Sequence, residues 1–111
     1  MSSRIRHTVI TLMLASPLLA SAAEPPAGAK LAGQFACTAC HGSDKAVVGP
    51  AFRDIAKKYK GQAGAEASLI AKVKAGGSGT WGPIPMPPQA HVSDADLKTI
   101  VAWVLAGSPE K

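Results

Sequence analysis

The stretch "FACTACHGSDK", residues 35–45, decides how the rest of the chain is read. It holds the only two cysteines, Cys37 and Cys40, with His41 directly after the second. Cysteines at this spacing serve three chemistries: a redox disulfide, a zinc site, or covalent attachment of a haem. A thioredoxin-type motif follows a strand in a βαβ unit, and no strand pattern precedes Cys37. Zinc wants four ligands in a tetrahedron. Cys37, Cys40 and His91 could offer three, but His41 beside Cys40 is poorly placed to be the fourth. Haem attachment uses every residue of the motif. Two thiols about one helical turn apart add to two vinyl groups, and the histidine that follows lies under the iron.

The flanks support this choice. "MSSRIRHTVITLMLASPLLASAA" opens with Arg4, Arg6 and His7, turns apolar from Val9, and ends in small residues. That is the build of a secretory signal peptide, with cleavage expected after Ala22 or Ala23. The stretch Thr8 to Ala23 is 16 residues interrupted by Pro17, short for a spanning helix of about 20 apolar residues. Residues 1–23 are therefore expected to be a cleaved leader, and 24–111 one domain in the periplasm. The whole chain has 12 basic and 7 acidic residues; losing Arg4 and Arg6 leaves ten against seven, a balance of +3. That is not the charge of a nucleic-acid binder.

A domain of roughly 88 residues has a thin core and commonly needs a staple. A Cys37–Cys40 disulfide would close too short a loop to serve. A large apolar disc bonded to the chain would fill the middle instead.

Along the chain, "GAKLAGQFA" reads as a short helix leading into Cys37, and "HGSDKAVVGPAF" as a loop. "AFRDIAKKYK" places Phe52, Ile55, Ala56 and Tyr59 on one helical face. "AGAEASLIAKVKA" is a further helix with Leu69, Ile70 and Val73 inward and Lys72 and Lys74 near its C-terminal end, where the dipole favours them. "TWGPIPMPPQAH" is neither helix nor central strand, since four prolines remove donors and fix φ. The last helix opens at Ser93 with Asp96 three residues on, buries Leu97, Ile100, Val101 and Val104, and stops at Gly107 and Pro109. With no repeats and no alternating β pattern, the fold class is all-α, three to four short helices with long loops.

Without the leader one methionine remains, Met86, and two histidines, His41 and His91. Met86 stands between prolines in a stiff loop, where reduced chain freedom keeps it from swinging away. It is expected as the sixth ligand opposite His41, with His91 a solvated loop residue. A thioether raises the reduction potential relative to His or thiolate. With both axial positions filled, the iron has no place for substrate or dioxygen, which favours a carrier over an enzyme.

On "CTACH", "VVGPAFRDIAKKYKGQAGAEASL", "TWGPIPMPP" and "VSDADLKTIVAWVL", the chain resembles the class I c-type cytochromes. The resemblance is closest to the small bacterial cytochrome c-551 group and covers nearly all of residues 24–111. It implies a small cytochrome c fold around one covalently bound haem c, anchored by Cys37 and Cys40 and ligated by His41 and Met86. It further implies that the Pro50 carbonyl accepts from His41, a contact that orients ligating imidazoles. Trp81 and Lys72 would reach haem propionates, and Phe52 and Ile84 would pack on the ring.

The family usually has an aromatic four or five residues before the first cysteine. Ala32 and Gly33 stand there, with Phe35 displaced and Trp103 the candidate to compensate from the last helix. The resemblance implies a monomeric periplasmic electron carrier. Its acceptor would be a haem cd nitrite reductase or a terminal oxidase, and its donor a quinol-oxidising complex. Docking would use the apolar haem edge, rimmed by Lys30, Lys57 and Lys72. The rival readings are a relay subunit of a dehydrogenase complex and a haem sensor or enzyme with a labile sixth ligand.

Overall fold

Helix propensity and apolar spacing place four α-helices along the chain. The computed structural model describes residues 16–19 and 23–111. The expected leader therefore lies mostly outside the described residues. The helices are α1 (Ala27–Gln34), α2 (Phe52–Tyr59), α3 (Ala65–Ala75) and α4 (Asp94–Leu105). Among the described residues there is no strand, and no helix is long and apolar enough to cross a membrane.

The spine is α4. Ser93 caps it, its hydroxyl accepting from the Asp96 N–H at 3.1 Å, which satisfies one of the orphan donors of the first turn. Leu97, Ile100, Val101 and Val104 are buried along one side, each contributing about 1.5–3 kcal/mol by leaving water. Past the helix, the Ser108 N–H donates to Trp103 O, and Trp103 Nε1–H donates to Pro109 O at 2.9 Å. The tail is thereby folded back on α4.

Against α4 lies α1, which meets it through the small residues Gly28 and Ala32. Ala32 is fully buried in a cluster with Phe52, Ile100 and Val104. A Cβ on Gly28 would sit 2.6 Å from Trp103 Cγ and 3.0 Å from Thr99 O. Only a hydrogen fits there. Trp103 thus takes part in the crossing, as the departure from the family pattern suggested, and Gly28 makes room for it. The helix α1 stops short of the expected reach to Ala36, because Ala36 is left-handed (φ 59°) and turns the chain into Cys37.

Helix α2 buries Phe52 and Tyr59, the two ends of the expected face, while Ile55 and Ala56 are half-buried. No side chain caps its start. Carbonyls of the preceding loop do so, accepting from Phe52 N–H (Gly42 O, 2.8 Å) and Arg53 N–H (Ser43 O, 3.0 Å). In α3 the expected inward residues Leu69, Ile70 and Val73 are only half-buried. The reason is that Leu69 and Val73 form part of a cavity wall instead of a packed core.

Candidate functional site

A cavity of about 370 Å³ opens between the cysteine turn, α2, α3, α4 and the proline-rich loop. That volume lies within the range of roughly 300–1,000 Å³ typical of cofactor and ligand sites. Leu69, Val73, Leu97, Ile100, Val101 and Val104 give it an apolar wall. Every residue expected to hold or contact the haem lines it: Cys37, Cys40, His41, Pro50, Phe52, Lys72, Trp81, Ile84 and Met86. Residues up to 49 positions apart (Cys37 to Met86) are brought to one chamber.

Cys37 opens a 3₁₀ turn, Cys37–Ala39, and Cys40 caps it, the turn being closed by Cys40 N–H to Cys37 O (3.2 Å) and His41 N–H to the same carbonyl (3.0 Å). Both are free thiols and half-buried. Burial pushes the Cys37 thiol above its ordinary range; a backbone hydrogen bond at Cys37 opposes the rise and the neighbouring Cys40 adds to it. Redox-active cysteines show the opposite, a lowered pKa. Among the described residues, no three His, Cys, Asp or Glu side chains are grouped to hold a metal ion.

His41 is fixed from three sides. Its Nδ1 lies 2.7 Å from Pro50 O; a carbonyl only accepts, so Nδ1 is the donor and Nε2 is the nitrogen left for a ligand. Phe52 stacks on the imidazole at 5.3 Å between centroids and 21° between planes. Gly49 presses from the remaining side, where a Cβ would come within 2.6 Å of His41 Cε1. The loop is held in place by Val48 N–H and Gly49 N–H, both donating to Cys40 O at 3.1 and 2.8 Å.

Met86 is set by its backbone. Its N–H donates to Gly77 O at 2.8 Å and its carbonyl accepts from Gly77 N–H at 3.1 Å. Gly76, at φ +68°, permits the close pass, since a Cβ there would meet Met86 O at 2.6 Å and Pro88 N at 2.7 Å. The neighbouring prolines leave few free donors in the loop.

At one edge of the cavity, Lys72 Nζ donates to Thr80 Oγ1 at 3.1 Å and lies 3.4 Å from Tyr59 OH. Lys58 Nζ stands 5.4 Å from the centroid of the Trp81 ring, within cation–π range. At the mouth, Val48, Trp81 and Ile84 are exposed apolar residues, and Val47, next to Val48 in the chain, is exposed as well. Sequence reasoning did not assign Gly49, Gly76, Thr80 or Lys58 to the site, and it placed Tyr59 only on a helix face, because their roles depend on partners distant in the chain. His91, expected as a solvated loop residue, is exposed but also meets Phe35 edge-on at 6.2 Å.

The donor set tests the cofactor. Two thiols at the two ends of one turn, an imidazole engaged through Nδ1, and a thioether share an apolar chamber, which are the kinds of group that hold a haem covalently and ligate its iron. The residues fit.

Comparisons with known proteins agree. A sequence profile described as cytochrome c matches residues 26–108. The chain is 55% identical over 75 residues to a cytochrome c-551 of Allochromatium vinosum, covering 68% of this chain and 80% of that protein. It is 45% identical over 100 residues to a cytochrome c-551 of Pseudomonas aeruginosa, covering 90% and 95%. Among solved structures, it superposes on wild-type cytochrome c552 of Nitrosomonas europaea with a TM-score of 0.69 and 49% identity, covering 71% of this chain and 98% of that one.

Proposed function

From the premise that the chain belongs to the cytochrome c family, we propose that it is a periplasmic electron carrier whose single haem is held by Cys37, Cys40, His41 and Met86. Family membership carries one covalently bound haem c and a role in electron transport. The finer assignment rests on one observation, that all four residues line the same apolar cavity. When bound, the haem supplies a one-electron couple at its iron.

The residues around it divide the remaining work. Cys37 and Cys40 anchor, through thioether bonds. His41 offers Nε2, oriented by Pro50, Phe52 and Gly49. Met86 offers its sulfur from a loop paired to Gly77. Lys72 and Trp81 stand at the edge suited to propionate carboxylates, and Phe52 and Ile84 flank the ring. Filling both axial positions leaves no site for a substrate, so the reading is a carrier and not an enzyme.

The exposed apolar mouth, Val48, Trp81 and Ile84, would dock against redox partners, with the exposed lysines Lys30, Lys57 and Lys72 steering encounter with acidic surfaces. A haem cd nitrite reductase or terminal oxidase is proposed as acceptor and a quinol-oxidising complex as donor. Residues 1–23 are proposed to be removed on export, leaving a monomer.

Spectra of the protein recovered from periplasm test this reading. The ferric form should show the far-red thioether-to-iron band, the reduced form should not bind carbon monoxide, and alkaline pyridine should report two thioether bonds. Carbon monoxide binding would instead mark a sensor or enzyme. Recovery only within a larger dehydrogenase would mark a built-in relay.

A further inference from the structure

The loop carrying Met86 leaves α3 after Ala75 and enters α4 at Asp94. Among the described residues there is one ion pair, and it joins those two roots: Lys74 Nζ, in the last turn of α3, donates to Asp94 Oδ1, on the first residue of α4. Just inside it, Gln89 N–H donates to Val73 O at 3.0 Å. Further in, Gly77 and Met86 exchange their two backbone bonds. The three ties form a ladder from the loop's roots to its methionine. The ion pair is the outermost rung and the only charged one.

We propose that the Lys74–Asp94 pair is a latch on this loop, setting how often Met86 swings out of the cavity. The inference rests on the reading of Met86 as axial ligand. Each charge would favour its own helix end alone, Lys74 at a C-terminus and Asp94 at an N-terminus. What single-helix effects do not explain is that the two meet across the roots of one segment. Tying the ends of a loop restricts the open conformations of the chain between them. Both side chains are partly exposed, at 39% and 77%, so salt weakens the latch. It tunes opening without deciding whether the domain folds.

The probe is imidazole added to the ferric holoprotein, whose rate at saturation reports departure of Met86. Lys74→Gln and Asp94→Asn are each expected to raise that rate about two- to fivefold, the scale of an exposed pair. The wild-type rate should climb with salt, and the variants should lose that response. The double variant should be no faster than either single one, because the pair is broken once. Lys74→Arg should keep the wild-type rate. Asp96→Asn, one turn position away and outside the pair, should keep the salt response. Amide exchange at Met86 and Gly77 should quicken in Lys74→Gln and Asp94→Asn by the same factor.

Additive single effects, or a salt response that survives in the variants, would overturn the latch. A wild-type ferric protein lacking the thioether band would instead overturn the ligand assignment. Amide exchange decides the latch in that case too, since it reads the loop and not the iron.

Discussion

His41 Nδ1 lies 2.7 Å from the carbonyl of Pro50, nine residues downstream. The bond sets the tautomer and the ring plane together, and Gly49 beside it leaves no room for a side chain. Residues 42–50 are thus a bracket for one imidazole.

Gly49→Ala would push a methyl group to within 2.6 Å of His41 Cε1 and 3.0 Å of Nδ1. The ring must tilt or the bracket must open. The expected cost is about 1–3 kcal/mol of stability, as for other overpacked sites. A denaturant midpoint measures it, and the haem absorption should shift with it. An unchanged spectrum and midpoint would mean that the bracket yields freely.

Met86→Ala removes the thioether while leaving the Gly77 pairing, which is backbone. The far-red band should vanish, the reduction potential should fall, and the reduced protein should bind carbon monoxide. Survival of the band and the potential would show that another group ligates the iron.

Two glycines of α1 should respond with opposite sign. Gly28→Ala forces a Cβ toward Trp103 and the Thr99 carbonyl, separating α1 from α4 at an expected cost of about 1–3 kcal/mol. Gly33→Ala meets nothing within 4 Å, and should stabilise by about 0.5–1 kcal/mol through helix propensity alone. Thermal unfolding of the pair checks both. Equal effects would sink the small-residue account of the crossing.

Ser108 is buried, sits at φ 54°, and its hydroxyl has no partner in the protein. Ser108→Gly relieves the left-handed strain and removes the orphaned hydroxyl, so it should stabilise by about 1 kcal/mol. For a domain this small, the melting temperature should rise by about 4–8 °C. A fall would indicate that the hydroxyl is satisfied in solution.

Much of this protein was legible along the chain because the signals are local. Apolar residues at helical spacing located α2 and α4, and Ser93 with Asp96 marked the start of α4. Cys37, Cys40 and His41 announced a haem by adjacency, and proline content picked out the Met86 loop. The cavity residues named from these signals and from the family resemblance all line one chamber.

Tertiary structure alone decided which distant groups meet. Gly28 carries no mark in sequence that it must admit Trp103. Nothing local tells that Gly42 and Ser43 carbonyls cap α2, that Phe52 stacks on His41, or that Lys74 reaches Asp94. Periodicity and spacing constrain each segment relative to itself. Helix crossings and loop closure set the rest, because a side chain's neighbours depend on where another segment has been packed.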